Sequence, residues 1–254
     1  GDTVYNFWRD KTNVRGLLRR TTLADYNTAN PHWQTVLDVD ALDAAEKTSW
    51  VVHPQNIQCL YPGDRHCMVM LQAGGEDAST AREFDLRKGE FVSEGFLSPQ
   101  SKQALAWEDK DTLLVSRDWG AGTMTASGYP YIVKEWKRGT PIADAKELFH
   151  GEPGDVEVGP VVLDDAQGDH MVLILRRVSF FEVRYLLKTP KGLEPLAIPA
   201  KSDIIGLLDG RLLVNLREDW APTTSGARFK QGSLLALRLP DVMRDPAHLK
   251  PTLI

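Results

Sequence analysis

The sequence predicts an all-β protein, a β-propeller of four-stranded antiparallel blades with about five blades in the chain. Three observations predict it: a repeat of about 48 residues, short apolar runs that follow polar turns, and almost no helical periodicity. A β-sandwich also has many short strands, but it does not explain a two-part pattern recurring at this interval. Propeller blades recur in sequence at about 40–50 residues, which favours the propeller.

The repeat begins with a turn rich in Asp, Gly and Lys, followed by a short apolar strand that we expect to be buried. Asp64, Asp111, Asp169 and Asp209 mark these turns at intervals of 47, 58 and 40 residues. A second, more polar strand follows each apolar run, and the third and fourth of these alternate with the period of two typical of half-exposed strands. These outer strands are predicted at 81–86, 131–136, 181–187 and 233–239.

The repeat divides the chain into five units within a single propeller domain, 1–254. The approximate blades are 1–49, 50–97, 98–148, 149–198 and 199–254. In the first unit, 15–23 and 33–42 supply the strands. Helix-forming residues lie between strand units at Ala41–Lys47 and Ala143–Phe149, where we expect short helices.

Composition excludes several classes of protein. The 254 residues include 30 Lys and Arg against 35 Asp and Glu, a net charge of −5, so no basic excess draws a nucleic-acid backbone. No apolar run is long enough for a membrane span, so we expect a soluble protein, cytoplasmic or periplasmic. The six histidines are scattered without metal-ligand spacing, and we expect no metal and no cofactor.

Two cysteines, Cys59 and Cys67, flank a Pro-Gly-Asp turn and face each other across a predicted hairpin. A disulfide between them requires special geometry, and two cysteines do not make a disulfide scaffold. We therefore expect free, buried thiols.

No serine lies in the GxSxG pattern of an α/β-hydrolase nucleophile. The nearest candidates are Ser127, Ser225 and Ser233, and each is interpreted as structural. The carboxylate pairs Asp164-Asp165 and Glu218-Asp219 are interpreted as solvated turn residues, because adjacent strand side chains point to opposite faces. We expect no catalytic residue in this chain.

The most distinctive segment is the loop 117–130, which is rich in glycine but lacks the Lys-Ser or Lys-Thr ending of a phosphate-binding loop. Its Asp-Trp pair recurs in 217–229, which indicates that the two loops share one architecture on the same face of the propeller. The alternative is that these loops form an interface with a partner. One arginine of the pair Arg176-Arg177, which lies close to a buried apolar run, is expected to reach a partner carboxylate or the central channel.

Several long segments resemble the propeller of the prolyl oligopeptidase family of serine peptidases, above all its bacterial members. They are spread along most of the chain: YNFWRDKTNVRGLLRRTTLADY at 5–26, PHWQTVLDVDAL at 31–42, AREFDLRKGEFVSEGF at 81–96, the stretch from LAWEDKD to KRGTP at 105–141, and FKQGSLLAL at 229–237. The resemblance implies a seven-bladed propeller in the parent enzyme. It also implies an α/β-hydrolase domain of the same polypeptide, which carries a Ser-Asp-His triad and cleaves short peptides after proline.

This resemblance implies that the chain is a truncated, non-catalytic gate that filters proline-containing oligopeptides by size, and that it is inactive alone. One cavity-lining position of the family falls on Lys102, where animal relatives have an aromatic residue. The alternative is a stand-alone five-bladed propeller that binds a protein or a small ligand. A truncated propeller leaves sheet edges exposed, so we expect it to close with five blades or to form a homo-dimer.

Overall fold

Five antiparallel sheets make up the fold, and the computed structural model describes residues 2–224 and 226–254 of the chain. The sheets are propeller blades, most of them four-stranded, which confirms the predicted fold class and the number of about five. The residues form two compact units, which are described separately. One comprises Gly1–Lys102 with Arg138–Ile142, and the other comprises Gln103–Lys137 with Ala143–Ile254.

The first sheet, in the first unit, has three strands in the described residues. They are β1 (Thr3–Trp8), β2 (Leu17–Thr22) and β3 (Gln34–Asp38), paired in the order β1-β2-β3. Helix α1 (Leu23–Tyr26) follows β2, and helix α2 (Val39–Glu46) follows β3. Asp38 caps α2 by accepting a bond from the Ala41 N–H, and the helix ends at Lys47 in the left-handed region. The predicted helix at Ala41–Lys47 is thus confirmed.

The second sheet contains six strands arranged around β6 and β7. They are β4 (Trp50–Val51), β5 (Ile57–Cys59), β6 (His66–Ala73), β7 (Ser79–Asp85), β8 (Glu90–Phe91) and β9 (Leu97–Ser101). A 3-10 turn, Pro54–Asn56, separates β4 from β5. The middle of β6 is fully buried, as the apolar run predicts. It packs with Leu18 of the first sheet, Val39 of helix α2 and Phe84 of β7.

Cys59 and Cys67 form a disulfide, so the expectation of free thiols is wrong. The two residues are directly opposite each other in the antiparallel β5–β6 pair, and their Cα atoms are 3.9 Å apart. The neighbouring Leu60 N–H donates to the His66 carbonyl, which places the cysteines at a non-hydrogen-bonded position, where side chains come closest. Strand register supplies the proximity, and the sequence alone does not reveal that register.

The second unit contains three four-stranded sheets, each in simple chain order. The third sheet is β10 (Gln103–Asp109), β11 (Thr112–Arg117), β12 (Ile132–Lys137) and β13 (Lys146–His150). The fourth is β14 (Glu157–Asp164), β15 (His170–Arg177), β16 (Val183–Thr189) and β17 (Gly192–Pro195). The fifth is β18 (Ser202–Leu208), β19 (Arg211–Leu216), β20 (Leu234–Arg238) and β21 (Thr252–Leu253), with helix α3 (Leu239–Arg244) after β20.

The predicted helix at Ala143–Phe149 is wrong. A 3-10 turn at Ile142–Asp144 leads directly into β13, which pairs with β12. Unpaired N–H and C=O groups on the edge of β12 offer more hydrogen bonds than one isolated helical turn can form, so sheet pairing prevails over helix propensity.

The core of the second unit lies between its sheets. The second strand of each sheet supplies fully buried residues, such as Leu113, Leu173 and Leu212, as the apolar runs predict. On β16, Val183, Tyr185 and Leu187 point inward while the residues between them are more exposed, the alternation expected of an outer strand. Across the described ranges, none of the helices is long and apolar enough to cross a membrane.

Candidate functional site

Three loops of the second unit form a candidate partner-binding surface, which we call the loop face. They connect the second strand to the third in each four-stranded sheet: 118–131, 178–182 and 217–233. Connections after the second strand leave an up-and-down sheet at one end, opposite the tight Asp-Gly turns. Loops on a rigid scaffold are the usual place for recognition.

The first loop is ordered by its own hydrogen bonds. Asp118 accepts from the Gly120 N–H at 2.8 Å, and the Trp119 indole donates to the Ile132 carbonyl at 3.1 Å. The hydroxyls of Thr125 and Ser127 donate to the Val156 carbonyl at 3.2 and 2.6 Å. These polar groups hold the loop to the segment that precedes β14.

The serine candidates do not acquire the setting of a nucleophile. The Ser127 hydroxyl contacts the Thr125 hydroxyl and the Val156 carbonyl, neither of which is a general base. The Ser233 N–H donates to the Lys230 carbonyl at the turn before β20. Ser225 lies outside the described residues.

The third loop repeats part of the first. Trp220 and Phe229 exchange backbone hydrogen bonds of 2.9 and 2.8 Å, just as Met124 and Pro130 form a bridge in the first loop. Asp219 differs from Asp118, because it accepts from the Lys230 ammonium at 2.7 Å, and this bond lowers the pKa of its carboxyl. The repeated Asp-Trp pair therefore lies in two similar turns that are stabilised by different contacts.

The second loop exposes two aromatic rings, and sequence reasoning missed this feature. Phe180 is 78% exposed and Phe181 is 64% exposed, with ring centroids 5.2 Å apart in an edge-to-face arrangement. The outer strand predicted at 181–187 begins only at Val183, because the Glu182 carbonyl accepts from the Val178 N–H and closes the loop. Adjacent apolar residues also occur in buried strands such as β11, so the Phe-Phe pair by itself does not signal a loop.

One arginine contacts the backbone of this exposed pair, and two others, just before the second loop, pair with carboxylates. Arg217 Nη2 donates to the Phe181 carbonyl at 3.4 Å and so links the second loop to the third. Arg176 pairs with the buried Asp155 at 2.7 Å, and Arg177 pairs with Glu157 at 2.7 Å. Both arginines of this dipeptide thus reach a carboxylate, one of the two outcomes that the sequence left open.

The carboxylates of Asp164 and Asp165 do not converge on one site. Asp164 contacts His170 Nδ1 at 2.7 Å, whereas Asp165 is buried and accepts from the N–H groups of Gln167, Asp169 and Gly210. Burial raises the pKa of Asp165, and these N–H donors outweigh it and bring the pKa below its usual value. Asp165 does lie in a turn, but its interpretation as a solvated residue is wrong, because its carboxylate is buried and accepts hydrogen bonds from backbone N–H groups.

Lys102 lies between β9 and β10, and its ammonium is 3.5 Å from an Asp77 carboxylate oxygen. Its side chain is half-buried, which places a positive charge at a sheet-to-sheet connection. Within the described part of the chain, no three His, Cys, Asp or Glu side chains converge in a way that could hold a metal ion.

A family model described as "Prolyl oligopeptidase, N-terminal beta-propeller domain" matches residues 1–196. An uncharacterized peptidase of Sinorhizobium fredii is 39% identical over 257 residues, which cover 99% of this chain and 35% of that protein. An uncharacterized peptidase of Rickettsia prowazekii is 29% identical over 95% of this chain and 35% of its own length. The chain therefore spans about a third of the length of the curated relatives that it matches.

Solved structures show the same fold. A post-proline cleaving enzyme from Rickettsia typhi superposes with a TM-score of 0.88 at 25% identity, over the whole of this chain and 38% of that one. Oligopeptidase B from Leishmania major reaches a TM-score of 0.65 at 13% identity, over 98% of this chain and 33% of its own, which is a likeness of fold alone. The family match covers well over half of the sequence, and it confirms the resemblance stated above. The chain belongs to the prolyl oligopeptidase N-terminal β-propeller family.

Proposed function

We propose that this chain is the non-catalytic propeller of a serine peptidase that cleaves short peptides after proline, and that it filters substrates by size. The family match carries the proposal. Two relatives are named as peptidases, and the Rickettsia typhi structure is named as a post-proline cleaving enzyme. Because the matched region is only about a third of those relatives, the catalytic group is assigned to an α/β-hydrolase domain of the same polypeptide.

The contacts of the serine and carboxylate candidates support a role in covering rather than in catalysis. Ser127 of the loop face and Asp165 of the β14–β15 turn at the opposite end are engaged in structural hydrogen bonds, so neither is poised for nucleophilic or acid–base chemistry. Phe180 and Phe181 instead offer apolar area to a partner surface, and aromatic side chains are enriched at the buried centres of such interfaces. In this proposal the two rings rest against the hydrolase domain.

Lys102 is proposed as a contact in the substrate cavity. Its ammonium lies 3.5 Å from an Asp77 carboxylate oxygen, which holds the positive charge at a defined place. In the longer enzyme, Lys102→Ala is expected to raise KM for a short peptide about tenfold with little change in kcat, the signature of lost ground-state binding. An unchanged KM contradicts the proposed contact between Lys102 and the substrate.

The test of the filter uses the longer enzyme and two substrates, a chromogenic Gly-Pro dipeptide and an unstructured proline-containing peptide of about 40 residues. The variant Phe180→Ser/Phe181→Ser removes the apolar contact, and we expect it to cleave the long peptide at least about tenfold faster relative to the dipeptide. Leu208→Ser is the matched control, because Leu208 is 60% exposed but lies at the opposite end of its sheet.

The chain 1–254 alone is assayed in parallel with the dipeptide. We expect no turnover above buffer. Turnover that survives further purification and serine-reactive inhibitors contradicts the assignment of catalysis to another domain. Equal selectivity in the double variant and the Leu208→Ser control contradicts the proposed contact of the phenylalanine pair.

A further inference from the structure

Strand β5 is short and has few backbone hydrogen bonds. It contains three residues, Ile57–Cys59, and across the described ranges it pairs with β6 alone. Because the two cysteines occupy a non-hydrogen-bonded position, the hydrogen-bonded pair of this ladder is Gln58 with Met68. The Leu60 N–H adds a bond to the His66 carbonyl at 2.8 Å. A segment held by so few backbone bonds opens locally more easily than the strands around it.

Strand β6, in contrast, is firmly held by its other neighbour. It pairs with β7 over six residues, from His66 to Leu71, and its central residues are buried. The ladder continues beyond the end of β6, where the Leu86 N–H donates to the Arg65 carbonyl at 2.8 Å. These bonds do not involve β5, so a change at β5 leaves β6 and β7 in place.

The Cys59–Cys67 disulfide joins the weakly paired strand to the firmly held one. Cys67 is completely buried in the core of the first unit, whereas Cys59 is half-buried and the turn that follows it, 62–65, is exposed. Access decides which sulfur of a disulfide a thiolate attacks, so Cys59 Sγ is the atom that a reductant reaches. The Asp64 carbonyl oxygen lies 3.9 Å from Cys67 Sγ, which gives the buried thiol of the reduced form a hydrogen-bond acceptor.

We propose that this disulfide is a redox-sensitive switch, which fixes β5 when it is oxidised and releases β5 when it is reduced. A thiolate of a dithiol reductant attacks Cys59 Sγ, the S–S bond breaks, and Cys67 leaves as a thiolate that takes up a proton. The second thiol of the reductant then displaces Cys59 from the mixed disulfide. The chain gains two electrons and two protons as two thiols, and the reductant becomes a disulfide. The released segment is 57–64, because the Arg65 carbonyl and β6 remain bonded to β7 and Leu86.

Hydrogen exchange followed by mass spectrometry tests the switch in the chain 1–254. The chain contains no cysteines besides these two, so a dithiol reductant acts at this bond alone. We expect amide exchange in 57–64 to become faster by about tenfold or more on reduction, with no comparable change in β7, Ser79–Asp85. Reoxidation is expected to restore the slow exchange.

Three controls make the result specific. The Cys59→Ala/Cys67→Ala protein is expected to exchange 57–64 at the rate of the reduced chain, with or without reductant. Thiol titration of the folded protein before each exchange run is expected to count none in the oxidised chain and two in the reduced chain. Strand β15, His170–Arg177, lies in the second unit and reports any global effect of the reductant.

Three outcomes overturn the proposal. The first is a bond that the dithiol reductant cleaves only in urea, which makes the disulfide a permanent crosslink of the folded state. The second is unchanged exchange in 57–64 once two thiols are counted, which shows that the packing of Ile57 on the core holds β5 without the bond. The third is equal acceleration in 57–64 and in β7, which shows that the disulfide stabilises the whole sheet rather than one strand.

Discussion

Arg138 holds both carboxylate oxygens of Glu83, although 55 residues separate them. Its Nη1 and Nη2 lie 2.8 and 3.1 Å from the two oxygens, and the Glu83 side chain is fully buried. The Phe96 N–H donates to the same carboxylate at 2.9 Å, and His66 Nδ1 lies 2.9 Å from it. The guanidinium also lies over the Phe96 ring. The buried Glu83 carboxylate is thus bound by a guanidinium, a backbone N–H and an imidazole, all within the first unit.

Replacing Arg138 with Met is expected to destabilise the protein by about 3 kcal/mol, because the buried Glu83 charge loses its principal partner. Urea unfolding measures the change. Arg244→Met is the matched control, since its ion pair with Asp241 is largely exposed, and we expect a loss below about 1 kcal/mol. Equal losses in the two variants contradict the importance of the buried pair.

Stability is expected to fall with acid as Asp85 takes up a proton. Burial raises the pKa of this carboxyl, but hydrogen bonds from Arg65 and from the Lys88 and Arg87 N–H groups outweigh it, and the pKa is about 2 against an ordinary 3.8. The folded protein binds the proton less readily, so this contribution is complete above about pH 5 and is lost as the pH falls from 3.8 toward 2.

The variant Asp85→Asn removes this contribution, and we expect a smaller difference between the free energies of unfolding at pH 6 and pH 3. Urea titrations at both pH values measure it. Glu90→Gln changes an exposed carboxylate of the same sheet and should leave the pH dependence as it is. An Asp85→Asn protein with the full acid sensitivity of the wild type would falsify the assignment.

Reducing the disulfide is expected to cost about 2–3 kcal/mol, the loop-closure entropy of a short loop, since the cysteines are eight residues apart. Thermal unfolding with and without a dithiol reductant measures the change in Tm. The Cys59→Ala/Cys67→Ala protein is the control and should not respond to reductant. Two titratable thiols per chain in air-oxidised, denatured protein would restore the original expectation of free cysteines.

Replacing Lys188 with Met is expected to destabilise the second unit by about 2 kcal/mol. Its ammonium contacts the carboxylates of Glu108 and Glu135, from two different strands of the third sheet. Burial lowers the pKa of Lys188, and the two carboxylates raise it above its usual value overall, so the amine is charged. Without it, two half-buried negative charges face each other.

Removing one of those charges tests this explanation directly. Glu135→Gln in the Lys188→Met background is expected to recover part of the lost stability, whereas Glu135→Gln alone is destabilising. A double-mutant cycle from urea unfolding gives the coupling energy. Additive losses in the cycle would show that Lys188 contributes by packing rather than by charge.

Much of the fold could be predicted from short-range patterns. Tight Asp-Gly turns, buried second strands such as β15 and alternating outer strands such as β16 follow from steric and hydrophobic preferences within about ten residues of chain. The helix α2 could be predicted for the same reason, because its cap and its helix-forming residues are adjacent in sequence. The family resemblance rests on the same local segments.

Features that depend on register could not be predicted. Cys59 and Cys67 could be placed on one hairpin, but only the β5–β6 pairing sets them opposite each other. The segment Ala143–Phe149 has helix-forming residues, and the open edge of β12 makes it a strand. Phe180 and Phe181 look like strand residues until the loop closes before Val183 and exposes them. In each case a neighbouring strand, not the segment itself, decided the outcome.

The sequence by itself determined the all-β class, the blade repeat and the family, because these depend on periodicity and on residues close together in the chain. Only the tertiary structure decided the Arg138–Glu83 pair and the exposed phenylalanines. Those features arise where segments that are tens of residues apart in the chain come into contact, so they depend on the register of the strands and on how deeply each side chain is buried. Which side chains meet is set by the packing of whole sheets, and no local pattern contains that information.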